Sequence, residues 1–168
     1  MVGKTSQIVC QKMSNLGLTI PHKVHYNGHT ETWVSEKQNT IFLNPEDRKS
    51  KMLAQQTMQH LLLHELGHIF ARKFIKRKTR KDPAVITLFG DMTKHYRRKL
   101  TRITTKDDFI SNYAQVHPED NFCEVFAVYC AHEGKIRKVY KHLKKQKKSK
   151  RVRKQVLWIH RFVKELND

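Results

Sequence analysis

Acidic residues are scarce in this chain of 168 residues. It has 15 Asp and Glu against 34 Lys and Arg, for a formal charge of +19. Such an imbalance implies a polyanionic neighbour (nucleic acid, anionic membrane or acidic protein) or else a solvated basic surface with no specific partner. Cysteine is also sparse, at three residues, and Cys10, Cys123 and Cys130 show neither C-x-x-C spacing nor a disulfide framework. Reduced thiols and an intracellular, cytoplasmic setting are expected. Cys123 and Cys130 lie seven apart in an apolar helical pattern, which predicts core packing. No apolar run reaches membrane-spanning length, and the first twenty residues, MVGKTSQIVCQKMSNLGLTI, lack the apolar stretch of a secretion signal. The expectation is a soluble protein. There is no internal repeat, P-loop, Rossmann fingerprint or serine elbow, which removes the common nucleotide-binding and serine-hydrolase classes.

What is present is a helical pattern with a short strand-rich stretch near the start. Ile8, Met13 and Leu16 predict a weakly amphipathic helix stopped at Gly17. HKVHY predicts a short strand, YNGH an Asn-Gly turn, and ETWVS with TIFLN a hairpin. A long helix is expected over about residues 47–76, with Met52, Leu53, Met58, Leu61, Leu62, Ile69 and Phe70 on its apolar face. Residues 84–100 read as partly helical with a break at Gly90. Pro118 opens a helix closed by Gly134, with acids in its first turn. Residues 135–168 hold 14 Lys or Arg and two acids, and repeat apolar residues at helical spacing. They predict two amphipathic helices around a charged hinge, docked on the domain. The expected organisation is a domain over 1–134 and a basic helical arm over 135–168, in an α+β, mostly helical fold with a small N-terminal antiparallel sheet.

The chemistry concentrates in LLLHELGHIFARKF, residues 61–74. Positions i and i+4 share one helix face, so His64 and His68 can aim two imidazoles at one ion. Zinc takes neutral imidazole nitrogen at about 2.0–2.1 Å. Glu65 lies about 100° further round the helix, off the ligand face but able to reach a water at the ion and act as a general base. Gly67 costs the helix about 1 kcal/mol relative to Ala, which points to a close neighbour.

Catalytic zinc usually has three protein ligands. A third histidine in the H-E-x-x-H-x-x-G-x-x-H pattern is ruled out, because Ala71 and Phe74 stand at its last two fixed positions. The segment HPEDNFCE instead offers Glu119, Asp120 and Glu124. Asp120 and Glu124 share a face, so one can bind metal while the other orients a ligand histidine. Favourable charge at a helix N-terminus explains Glu119 and Asp120 adequately and Glu124 poorly.

HELGH followed by FISNYAQVHPEDNFCEVFAVY resembles the zinc metallopeptidases of the zincin clan that use an acidic third ligand. It is similar to the anthrax lethal factor protease domain, the Pro-Pro endopeptidases and the group of putative zinc-binding metallopeptidases. Those families carry a Tyr, an acidic ligand seven residues later and a second Glu four residues after that. The matching positions are Tyr113, Asp120 and Glu124, and LFGDM at 88–92 is similar to the last group. The resemblance covers about residues 30–133. It implies a zincin-like fold and one Zn(2+) per chain held by His64, His68 and Asp120. Asp120 stands where the families have Glu, so either the helices approach more closely or Glu119 or Glu124 takes the place; Asp120 is preferred. The resemblance also implies that Tyr113 donates a hydrogen bond to an oxyanion.

The expected activity is zinc-dependent hydrolysis of peptide bonds in a peptide or protein substrate, with Glu65 as base. Either hairpin strand is expected to receive substrate as an added strand. The alternative is a basic nucleic-acid-binding protein whose zinc site is structural or inactive. Two runs would serve nucleic acid or another polyanion: Lys76, Arg77, Lys78 and Arg80 in the first, and Lys147, Lys148, Lys150, Arg151 and Arg153 in the second. Few aromatics interleave them, so base stacking is not the expected mode.

Overall fold

The computed structural model describes residues 2–20, 22–26, 32–35, 39–44, 57–94 and 106–168. The elements in chain order are α1 (Val2–Ser14), β1 (Lys23–Tyr26), β2 (Trp33–Ser35), β3 (Thr40–Leu43), α2 (Met58–Phe74), α3 (Arg77–Arg80), α4 (Pro83–Phe89), α5 (Pro118–Ala131), α6 (Ile136–Lys145) and α7 (Lys150–Glu165). Short 3-10 turns lie at Lys106–Asp108 and Tyr113–Gln115. The fold is mostly helical with a small sheet, as an α+β reading requires.

The sheet corrects one expectation: it is mixed, not antiparallel, with strand order β1-β3-β2. The hairpin pairing holds, with Val34 opposite Ile41 in antiparallel register. β1 runs parallel to β3 on its other side, Val24 opposite Ile41. Burial explains the order. β3 has Thr40, Ile41 and Leu43 buried, whereas β1 is mostly exposed. The apolar strand takes the centre, where both its ladders are made, and the polar strand takes an edge. TIFLN, as the central strand, therefore has no edge for a substrate strand; β2 has one among the described residues.

The long helix is also corrected. Thr57 is extended, and its side-chain oxygen accepts from the His60 N–H, so α2 starts at Met58. The expected helical turns over 47–56, including Met52 and Leu53, lie outside the described residues, as does the Asn-Gly turn. In α1 the buried residues are Val9 and Met13, with Leu16 just beyond, whereas Ile8 is exposed. Gly17 does end that segment, at φ +69°.

α2 and α5 form the centre of the molecule. Every residue from Glu119 to Cys130 is buried. Phe70 stacks on Phe126 and Phe122, with ring centroids 4.6 and 6.3 Å apart. α6 and α7 join the same core through Val139 and Leu143, and through Val152, Val156, Ile159 and Val163. Their apolar stripes dock as their periodicity predicts.

α7 also braces the N-terminus of α5. Buried Gln155 donates to the Leu88 carbonyl at 2.7 Å, and Arg151 donates to the same oxygen at 3.0 Å. Asn121, beside Asp120, donates to the Phe89 carbonyl at 3.2 Å. At Gly90, φ +92°, a β-carbon would stand 2.8 Å from Pro118 Cγ. The LFG turn therefore sits hard against the residue that opens α5.

Candidate metal centre

His64 and His68 stand one turn apart on α2, facing α5. Their Nε2 atoms are 3.2 Å apart. Asp120 Oδ1 completes a triangle with them, 3.7 Å from His64 Nε2 and 3.4 Å from His68 Nε2. Donors on a tetrahedral ion with bonds of about 2.0–2.1 Å stand about 3.3–3.4 Å apart. The three atoms fit that spacing.

Each imidazole is fixed through its other nitrogen by its own carboxylate. His64 Nδ1 donates to Glu124 Oε1 at 2.7 Å, and His60 Nε2 reaches the same oxygen at 3.2 Å. His68 Nδ1 donates to Glu119 Oε1 at 3.0 Å, and Arg72 Nε donates to that oxygen at 2.9 Å. Glu119 and Glu124 are thus engaged at the far side of the rings, which leaves Asp120 opposite both Nε2 atoms. Asp120 Oδ2 is buried with no hydrogen-bond partner among the described residues. A buried carboxylate oxygen without a partner is costly and marks a place for a cation or its water.

The charge balance points the same way. Four of the chain's 15 acids, Glu65, Glu119, Asp120 and Glu124, are buried in this region. Burial opposes charge on Asp120, but the two imidazoles outweigh it and hold its carboxyl well below the ordinary range. Glu124 is held low against burial by His60 and His64. Glu119 is brought down to about 2, burial being overcome by His68 and Arg72. Burial opposes charge on His64 too, yet Asp120 and Glu124 raise it well above its usual value. His68 is raised likewise against burial, by its contacts with Asp120 and Glu119. Crowded carboxylates that favour positive charge on one buried imidazole, His64, and one half-buried imidazole, His68, suit a divalent cation.

One donor near the site was not anticipated. A Cys123 ligand atom lies within 4.8 Å of those of His64 and His68. The cysteine was read as core, and it is fully buried, with burial pushing its thiol up. Its position one turn after Asp120 on the same helix was the available signal.

Tyr113 sits on the 3-10 turn before α5, its ring centroid 5.3 Å from that of His64 in an edge contact. Glu65 is buried, at 8% exposure. His117 caps α5, its Nδ1 accepting from the Glu119 N–H at 3.1 Å.

The basic residues divide into two groups. Lys76, Arg77, Lys78, Lys147, Lys150 and Arg153 are exposed. Arg80 is half-buried, with its Nε unpartnered among the described residues. Lys148 is half-buried and its ammonium is lowered by burial. Arg151 is tied to Leu88 and lies over the Phe109 ring, 5.6 Å from its centroid. Among the described residues no helix is long and apolar enough to cross a membrane.

No curated protein and no solved structure gives a significant match to the chain. A family model does match, over residues 23–164, and its description is "Putative zinc-binding metallo-peptidase". The match takes in the sheet, both site helices and nearly all of α7, and the site between those helices suits zinc in donor type and spacing, so the chain belongs to the zinc-binding metallopeptidase family.

Proposed function

We propose that the chain is a zinc-dependent endopeptidase whose ion is held by His64, His68 and Asp120. The observation that carries this reading is the triangle of the two Nε2 atoms and Asp120 Oδ1, with sides of 3.2, 3.4 and 3.7 Å. Asp120 is preferred over Cys123 because its carboxyl is already ionised and has an unpartnered buried oxygen, whereas the Cys123 thiol is held protonated by burial. Glu119 and Glu124 orient the imidazoles and hold the tautomer that presents each Nε2.

Bound zinc supplies Lewis acidity towards the scissile carbonyl and lowers the pKa of a water at the site. Glu65, one residue after His64, takes the proton of the attacking water and passes it to the leaving amine. Tyr113 lies beside His64 and donates its phenolic hydrogen to the oxyanion of the tetrahedral intermediate. The edge of β2, which pairs with no further strand among the described residues, receives the substrate backbone as an added strand, giving affinity with little side-chain selection.

The test is Glu65→Gln. The variant should bind zinc as the parent does and lose hydrolysis of an unfolded protein substrate by at least about a hundredfold. Full activity in the variant would remove the proposed base, and zinc binding without hydrolysis by the parent would point to a structural metal.

A further inference from the structure

α7 presents two stripes. One, Val152, Val156, Ile159 and Val163, is buried in the core. The other, Lys150, Lys154, Leu157, Trp158 and Arg161, lines a groove closed on the opposite side by α4. The groove has a volume of about 520 Å³. Leu88, Leu157 and Trp158 form much of its floor, with Ala84 and Thr87 on the α4 wall. Leu157 and Trp158 are half-buried, whereas the cations on the rim are exposed.

The rim is one-sided. Lys150, Lys154 and Arg161 all come from α7, and the α4 wall carries no charge. None of the three has a carboxylate partner among the described residues. Arg151 does not belong with them, because it is tied to the Leu88 carbonyl and serves as a strut between the walls.

We propose that this groove docks an acidic amphipathic peptide segment of a partner protein, with its apolar stripe on Leu88, Leu157 and Trp158 and its carboxylates along the α7 rim. Charge complementarity selects an anion, and the apolar floor requires that one face of that anion be greasy. A nucleic-acid strand fits less well. Its phosphates would gain from only one wall, and Trp158 is already engaged, stacked on Phe162 at 5.2 Å and met edge-on by Phe89 at 5.6 Å. The ring is a fixed wall rather than a free stacking platform. A membrane surface fits less well still, because the apolar residues line a concave groove and do not project from a convex face. The groove abuts the Leu88–Gly90 turn that packs against Pro118, so a bound segment lies over the joint that sets α5. The docking needs neither zinc nor cleavage.

The experiment uses the full chain carrying Glu65→Gln, with chelator present, so that it does not depend on the metallopeptidase reading. A labelled synthetic peptide with a Leu/Phe stripe flanked by glutamates is titrated by fluorescence anisotropy at low salt. A peptide of equal charge with its apolar stripe replaced by Ser and Gln, and a duplex and a single-stranded oligonucleotide, serve as competitors. The amphipathic peptide should bind about tenfold or more tightly than its polar counterpart, and oligonucleotides should displace it poorly. Lys154→Glu with Arg161→Glu should weaken it by about tenfold or more, while Lys138→Glu with Lys141→Glu on α6 should change it by less than about threefold. All four substituted residues are exposed, and circular dichroism checks that each variant is folded. Equal binding of the two peptides, displacement by oligonucleotide as effective as by unlabelled peptide, or equal loss in both reversal variants would each overturn the proposal in favour of a general polyanion surface.

Discussion

A β-carbon on Gly67 would stand 3.0 Å from the Cys123 α-carbon. The two site helices are therefore as close there as backbone allows. If Asp120 is the third ligand, as proposed, a close approach of the helices is what lets so short an acid stand near both imidazoles. Gly67→Ala tests it. The added methyl improves helix propensity by about 1 kcal/mol, but overpacking against backbone costs about 1–3 kcal/mol. A net loss of about 1 kcal/mol in urea unfolding is expected, together with weaker zinc binding by calorimetry. An exposed-helix response, a gain in stability with zinc binding intact, would contradict the close approach.

The third donor can be decided by two substitutions read in parallel. Asp120→Ala should reduce zinc affinity by at least about a hundredfold, because a charged donor is removed. Cys123→Ala should leave zinc affinity within about threefold and cost about 1 kcal/mol of stability through a small core cavity. The opposite ranking, measured by competition with a chromogenic chelator, would make the thiolate the ligand.

Glu119→Gln and Glu124→Gln should each lower zinc affinity by about 10–100-fold without removing a ligand, because each frees one imidazole to rotate. Glu119 also holds Arg72, so Arg72→Ala should show a smaller effect in the same direction. Isothermal titration of the three variants measures this order.

His64 and His68 carry folded-state values raised above 6.5, and a group raised on folding stabilises the protein at low pH and loses that contribution as pH rises through its folded value. The metal-free chain should accordingly lose melting temperature as pH rises above about 6.5. Zinc takes the place of those protons, so the increase in melting temperature on adding one equivalent of zinc should be larger at pH 8 than at pH 6. A zinc-induced increase independent of pH, by differential scanning fluorimetry, would mean that the ion binds elsewhere.

Much of this was legible from spacing alone. The i, i+4 histidines needed only an α-helix to meet, and Pro118 with Gly134 bracketed the second helix. The apolar stripes of α6 and α7 announced their docking. What resisted reading depended on contacts between distant segments. Nothing local makes β1 parallel to β3, and the central place of β3 shows only in its greater burial across the sheet. Which of Glu119, Asp120 and Glu124 meets an Nδ1 and which faces the Nε2 atoms depends on how each imidazole ring is turned towards α5, a rotation no sequence pattern encodes. Arg151 looked like one more cation in a basic run, and only the position of the Leu88 carbonyl gives it a separate task.

α5 is enclosed from Glu119 through Cys130, with no residue in that stretch facing solvent. One helix is therefore both the floor of the chemistry and the keel of the molecule, and no substitution along it can adjust the first without loading the second. Changes of side chain have more freedom on the outer faces of α6 and α7, where Lys138, Lys141, Lys154 and Arg161 are exposed and can be replaced without the hull shifting.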